Sequence, residues 1–214
     1  MTTAPFYFKQ LILGPMQNFI YLIGDPKTRE AAVVDPGWEV PTILRTLEQD
    51  GYRLTKAFVT HHHFDHVMGL EELLRHADIP VHVHQDDAPL VAVEPGSRKP
   101  VHGGDTIAVG GVTVSLLHTP GHTPGSQCLL VNGHLFSGDT LFVGSCGRCD
   151  LPGGNPAALY HSLSGVLKPL DDSTILCPGH DYGDAPQKRL GEEKQTNPFL
   201  QPKTVDDFLR LVGR

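Results

Sequence analysis

The stretch Thr60-His61-His62-His63-Phe64-Asp65-His66 reads H-x-H-x-D-H. His61, His63 and His66 supply borderline nitrogen donors and Asp65 a hard oxygen donor, the mixture that zinc, iron and manganese accept. The stretch follows a strand expected over Ala57–Thr60 and precedes a helical pattern over Leu70–His76, so it reads as a strand-to-helix loop. In such a loop His61 and His63 point one way while Asp65 and His66 point another. That spacing feeds two adjacent ions rather than one.

Working outward, the same arrangement recurs three times. Thr119-Pro120-Gly121-His122-Thr123-Pro124-Gly125 is a rigid turn presenting one histidine, Ser137-Gly138-Asp139-Thr140 presents a carboxylate, and Cys177-Pro178-Gly179-His180-Asp181 presents another histidine. Each group lies just past an apolar run: Phe58-Val59, Leu116-Leu117, Leu135-Phe136 and Ile175-Leu176. Buried strands fix the backbone, and the loops at their ends converge on one edge where polar groups face a cleft.

The intervening chain alternates strands and helices. Strands are expected at Phe19–Ile23, Ala31–Val34, Val81–His84, Cys128–Val131, His134–Ser137 and Thr174–Cys177. A hairpin joins Thr106–Val109 to Val112–Leu117 through Gly110-Gly111, and Asn132-Gly133 turns the next pair. Val40–Gln49, with apolar residues at Val40, Ile43, Leu44 and Leu47, has helical spacing; Ala157–Leu167 and Val205–Val212 read as further helices. A polar, Pro-rich loop is expected after Val81–His84. The alternation predicts a layered α/β core with helices outside, in one domain spanning residues 1–214.

Composition narrows the function classes. A formal charge of -7 argues against nucleic acid or an anionic membrane as the main partner, since both call for a basic face. The start, MTTAPFYFKQ, lacks a basic segment followed by an apolar one, and no apolar run approaches the roughly 20 residues of a membrane span. Four cysteines without a secretory signal predict reduced thiols and a cytoplasmic protein. The 13 histidines call for a chemical explanation. Of the remainder, His82 and His84 share one strand face and are expected at the surface, His62 is expected to point away from the ions, and Asp86-Asp87 reads as a solvated pair.

The order His61, His63, Asp65, His66, His122, Asp139, His180 resembles the metallo-β-lactamase superfamily over nearly the whole chain. The resemblance implies a four-layered αβ/βα sandwich with the metal site at one edge of the sheets. It implies that His61, His63 and His122 hold one ion, that Asp65, His66 and His180 hold a second, and that Asp139 bridges them. Two divalent ions about 3.5–4 Å apart lower the pKa of a shared water to roughly 7 and polarise a substrate carbonyl.

Gly138-Asp139-Thr140-Leu141-Phe142, Cys146-Gly147-Arg148 and the triple His61-His62-His63 are similar to the glyoxalase II branch, the hydroxyacylglutathione hydrolases. The implied reaction is hydrolysis of a glutathione thioester such as S-D-lactoylglutathione by metal-bound hydroxide, with two zinc ions, or iron or a zinc/iron mixture, as cofactors. Asp65 would accept a hydrogen bond from the attacking water, Arg148 would contact an anionic group of the substrate, and Tyr182 would donate a hydrogen bond to it. Full-length glyoxalase II carries a C-terminal helical domain that grips glutathione; here about 34 residues follow His180, so that domain is not expected. Arg148-Cys149-Asp150, His180-Asp181-Tyr182 and Glu192-Glu193 before Asn197-Pro198 resemble the persulfide dioxygenases instead. In those enzymes one Fe(II) is held by residues matching His61, His122 and Asp139, a two-His-one-carboxylate face. A non-catalytic metal-binding homologue would be expected to lack a ligand, and none of the seven is missing. The residues leave a homodimer open.

Overall fold

The computed structural model of the protein describes residues 5–213. The strand β2 (Asn18–Asp25) is buried at every position, and its alternation shows how the layers are stacked. Phe19, Tyr21 and Ile23 pack with Val114, Leu116, Leu129 and Phe136 in a core between two sheets. Ile20 and Leu22 project to the other side, against Val40, Ile43 and Leu47 of the helix α1 (Val40–Asp50). A strand with apolar residues on both faces must be covered on both faces.

Around β2 the first sheet adds β1 (Tyr7–Leu13), β3 (Glu30–Val34), β4 (Arg53–Val59), β5 (Val81–His84) and β6 (Arg98–Val101), in the spatial order of their numbers. The first three strands are antiparallel; β3 to β6 run parallel, linked by α1, α2 (Phe64–Val67) and α3 (Leu70–His76). The second sheet contains β7 (Thr106–Val109), β8 (Val112–His118), β9 (Gln127–Val131) and β10 (His134–Gly138). After a small ribbon of β11 (Leu141–Phe142) and β12 (Ser145–Cys146) come α4 (Pro156–His161), β13 (Ile175–Pro178), β14 (Lys188–Arg189), α5 (Leu190–Thr196) and α6 (Val205–Val212). The order of the second sheet is β14-β13-β10-β9-β8-β7. Leu135, Leu159, Leu163, Leu176, Leu190 and Phe208 form a third core between this sheet and its outer helices. The result is a helix–sheet–sheet–helix sandwich, the four layers expected.

Strands β8, β10 and β13 run in one direction, because β9 is antiparallel to both β8 and β10 while β13 pairs parallel with β10. Their carboxyl ends meet those of β3 and β4 at one edge. Short backbone bonds join the sheets there: Phe19 N donates to Gly179 O at 2.8 Å and Gln127 N to Thr60 O at 2.9 Å. The Tyr21 hydroxyl donates to Pro178 O at 2.7 Å.

Several expectations need correction. The Pro-rich loop contains β6, an edge strand, where the missing N–H of Pro100 is tolerated; the Arg98 guanidinium bonds the carbonyls of Val91 and Val93 at 2.8 and 3.0 Å. The helix expected over Ala157–Leu167 starts at Pro156 and changes to π-helical turns over Ser162–Leu167. Strand β1 and helix α5 carry too little apolar periodicity for the sequence pattern to announce them. The Asn132-Gly133 turn holds: both residues have positive φ, 45° and 77°, as a type I′ hairpin requires.

His82 and His84 are not surface residues, since β5 is buried throughout. His82 stacks on Phe58 with ring centroids 5.3 Å apart. Burial, reinforced by Lys56 and Lys99, lowers its pKa to about 4. The fold therefore favours the neutral ring, and this contribution is complete above the unfolded pKa near 6.5 and lost as pH falls from there towards 4. Replacing His82 by Leu is expected to remove on the order of 1–2 kcal/mol of acid destabilisation once solvent screening is allowed for. Urea titrations of both proteins at pH 7.5 and 5.0 check this; an equal loss in each would contradict it.

Candidate metal centre

All seven side chains expected as ligands meet at the shared edge. His61, Asp65, His66, His122 and His180 are buried, between 1% and 4% exposed, and His63 is partly buried. Three sets of donor atoms, His61/His63/His122, His61/His66/Asp139 and Asp65/His66/His180, each lie within 4.8 Å of one another. Asp139 stands between the outer two. Its Oδ1 is 3.4 Å from His66 Nε2, and its Oδ2 is 3.5 Å from both His122 Nε2 and His180 Nε2.

The backbone makes this convergence sterically exacting at two glycines. Gly138, at φ +48° before Asp139, lies against Thr60, where a side chain would collide. Gly37 packs on the Asp65 carbonyl, again with no room for a Cβ.

The far side of each buried ring is held by an oxygen. Thr60 Oγ1 donates to Asp35 Oδ2 at 2.6 Å and so has only lone pairs left for His61 Nδ1, 3.1 Å away. His66 Nδ1 is 3.0 Å from the same Asp35 oxygen, His122 Nδ1 is 2.6 Å from Arg148 O, and His180 Nδ1 is 3.0 Å from Met16 O. Each Nδ1 must therefore carry a hydrogen, which leaves Nε2 of the neutral ring as a lone pair aimed into the site.

Those lone pairs fit metal ions. His61 Nε2, His122 Nε2 and Asp139 Oδ1 are buried with no hydrogen-bond partner, a costly state for polar atoms without a cation. His66 Nε2 and His180 Nε2 face each other at 3.2 Å, and Asp65 Oδ2 lies 3.4 and 3.3 Å from them. Ligands at roughly 2.0–2.1 Å in a tetrahedral shell are separated by about 3.3 Å, so this spacing suits one ion.

The electrostatics agree. Burial opposes charge on His180, but Asp139 and Asp65 outweigh it and raise its pKa to about 9. His66 is also raised against burial, by Asp139 and Asp35. Burial works against ionisation of Asp65, yet His180, His66 and the Asn18 amide hold it well below the usual carboxylate range. Near His61 and His63 burial and neighbouring imidazoles act the other way, with His63 lowered to about 4. One half of the centre attracts positive charge through carboxylates; the other presents neutral nitrogen donors.

Sequence reasoning passed over the residues behind the ligands. Asp35 follows β3 as the ligands follow their strands, and the same rule would have found it. Asn18 donates to Asp65 Oδ2 at 2.9 Å and accepts from Trp38 Nε1 at 2.8 Å, which fixes the carboxylate. Asp87, read as solvated, is fully buried: it accepts from His62 N, Thr123 Oγ1 and Gly125 N at 2.9, 2.8 and 2.7 Å. It thereby ties the H-x-H-x-D-H loop to the loop of His122, and His62 turns to it, with Nδ1 2.9 Å from Oδ2. No periodic pattern marks such a residue.

A cleft of about 820 Å³ opens over the centre, lined by His63, Asp65, His122, Asp139 and His180 together with Arg148 and Tyr182. The Tyr182 ring stacks on His180 at 4.5 Å and 8°. Arg148 is engaged by Asp150 in a two-bond ion pair of 2.7 and 2.8 Å. Glu193 and Asn197, both fully buried, brace the cleft floor: Glu193 accepts from Gly144 N at 2.8 Å, and Asn197 donates to Phe142 O and Ser145 O at 3.2 and 3.0 Å. All four cysteines are free thiols, and burial pushes Cys146 up to about 12. Elsewhere His84, Asp86 and His118 also cluster, but the two rings are stacked 3.8 Å apart at 12° and cannot both aim in-plane lone pairs at one ion.

The Metallo-beta-lactamase superfamily pattern matches residues 13–180, and the chain belongs to that superfamily. It is 40% identical over 185 residues to the hydroxyacylglutathione hydrolase of Alkalilimnicola ehrlichii, covering 86% of this chain and 69% of that protein. It is 31% identical over 205 residues to the probable polyketide biosynthesis zinc-dependent hydrolase BaeB of Bacillus velezensis, covering 92% and 88%. Among solved structures, ETHE1 from Myxococcus xanthus is similar with a TM-score of 0.88 and 33% identity, over 97% of this chain and 90% of that one. No helix among the described residues is long and apolar enough to cross a membrane.

Two substitutions test the centre. Asp139→Ala is expected to lower bound metal at both positions and reduce turnover at least about 100-fold, because its two oxygens serve both sets. Full metal content by elemental analysis would contradict the bridging role. Asp35→Ala should weaken metal affinity roughly 10- to 100-fold by releasing His66 and Thr60, as read by chelator competition.

Proposed function

We propose that the protein hydrolyses thioesters in the manner of the hydroxyacylglutathione hydrolases, with glutathione conjugates such as S-D-lactoylglutathione among its substrates. The observation that carries this reading is the position of Asp139, whose two oxygens reach both donor sets. His61, His63 and His122 would hold one ion, Asp65, His66 and His180 the other, with zinc favoured by the mixed nitrogen and carboxylate donors. When bound, a pair of such ions activates water near neutral pH and polarises the thioester carbonyl.

The chain's own residues supply the rest. Asp65, fixed by Asn18, accepts a hydrogen bond from the attacking water and so orients a lone pair towards the carbonyl carbon. Attack forms a tetrahedral intermediate, which collapses by breaking the C–S bond. A thiolate leaves without a strong acid, since an ordinary thiol has a pKa near 8.5. Tyr182, exposed and stacked on His180, would donate a hydrogen bond from its hydroxyl to the substrate, a role its exposure beside the centre supports. Burial and the nearby carboxylates Asp139 and Asp65 raise its pKa, so it stays a donor through neutral pH.

A second reading, a sulfur dioxygenase using one Fe(II) at His61, His122 and Asp139, is favoured by the 33% likeness to ETHE1 across 97% of the chain. Metal analysis with kinetics separates the two. The hydrolase should bind close to two ions per chain and turn over S-D-lactoylglutathione under nitrogen. One iron per chain, oxygen uptake on glutathione persulfide and no thioester turnover would replace it with the dioxygenase.

A further inference from the structure

The cleft is lined by two unlike sets of side chains, the residues of the metal centre and an apolar set of Met16, Phe64, Phe142, Leu151, Pro152 and the Tyr182 ring. Phe64 sits between ligands His63 and Asp65, and Tyr182 two residues beyond His180; both are 56% exposed. Phe142 lies beneath Tyr182, ring centroids 5.5 Å apart. Exposed rings placed beside the reacting position are surface that a bound molecule covers.

Charge points the same way. Among the described residues lining the cleft, Arg148 is the one lysine or arginine, and Asp150 already balances its charge and occupies the Nε–Nη2 edge of its guanidinium. A substrate carboxylate would have to displace Asp150 or share the guanidinium with it. A glutathione carrier brings two carboxylates, and no uncompensated guanidinium or ammonium among the described residues lines the cleft to receive them. An alkyl chain meets no such penalty, and it gains from every methylene removed from water.

We propose that, within the thioester hydrolysis on which this inference rests, the cleft selects thioesters bearing an apolar acyl chain and is largely indifferent to the charged part of the thiol carrier. The chain lies along Phe64, Leu151 and Phe142 while the thioester carbonyl faces the metal ligands. Each methylene buried there should raise kcat/KM roughly fourfold until the apolar lining is covered.

The test uses the metal-loaded enzyme and four substrates: the S-acetyl and S-hexanoyl esters of N-acetylcysteamine, which are uncharged, S-hexanoylglutathione and S-D-lactoylglutathione. The expected result is a kcat/KM at least tenfold higher for hexanoyl than for acetyl N-acetylcysteamine. The two hexanoyl esters should agree within about tenfold, and both should exceed S-D-lactoylglutathione. Phe64→Ser, which alters an exposed ring, should reduce the hexanoyl-to-acetyl ratio at least threefold. Turnover confined to the glutathione esters, or a ratio near one, would overturn the apolar selection and leave thioester hydrolysis standing. No turnover of any of the four would overturn both.

Discussion

Carboxylates buried at the meeting point of two sheets have to be compensated, and the rest of this molecule is arranged around that requirement. Asp65 and Asp139 face the imidazoles of His66, His122 and His180 across gaps of 3.3 to 3.5 Å, with Asp35 behind His66. Anions removed from water are costly unless neighbouring donors or cations offset them. Here the ring nitrogens of these three histidines that face away from the centre are all anchored, so the facing nitrogens have no freedom to turn elsewhere. The cluster is made for positive charge at its middle.

The apolar interfaces that flank the cluster offset its cost. The inner core of Phe19, Tyr21, Phe58 and Phe136 holds the sheets together, and the outer cores fix each sheet against its helices. Because five strands end at the same edge, small changes in strand position would move ligands relative to one another. The cross-sheet bonds of Phe19, Tyr21 and Gln127 lock that register, and Asp87 locks the two ligand loops to each other. The site is therefore precise because strands, not loops alone, set it.

The superfamily places the ligand cluster at one edge of the sandwich, and the cleft above it decides what would reach that cluster. In this chain the cleft combines exposed aromatic rings with a cation already neutralised by its neighbour. The two proposed readings, hydrolase and dioxygenase, draw on the same few ligands and differ in how many ions those ligands would hold.

The ligands were legible in the sequence because each group sits just past a short apolar run, because His122, Asp139 and His180 each follow a glycine, and because imidazoles and carboxylates at such spacing have few other uses. The layered α/β class was legible too, since β2, β4 and β10 are short runs with apolar residues on both faces. What the sequence could not display is any pairing between distant segments. Asp35 and Asn18 act on His66 and Asp65 from 31 and 47 residues away, and Asp87 reads as a loop acid until His62 and Thr123 close over it. His82 looks like a surface residue until β5 is covered on both faces. Periodicity reports which way a side chain points along its own element; only the folded chain determines what stands opposite, and that is where burial, charge compensation and the character of the cleft are decided.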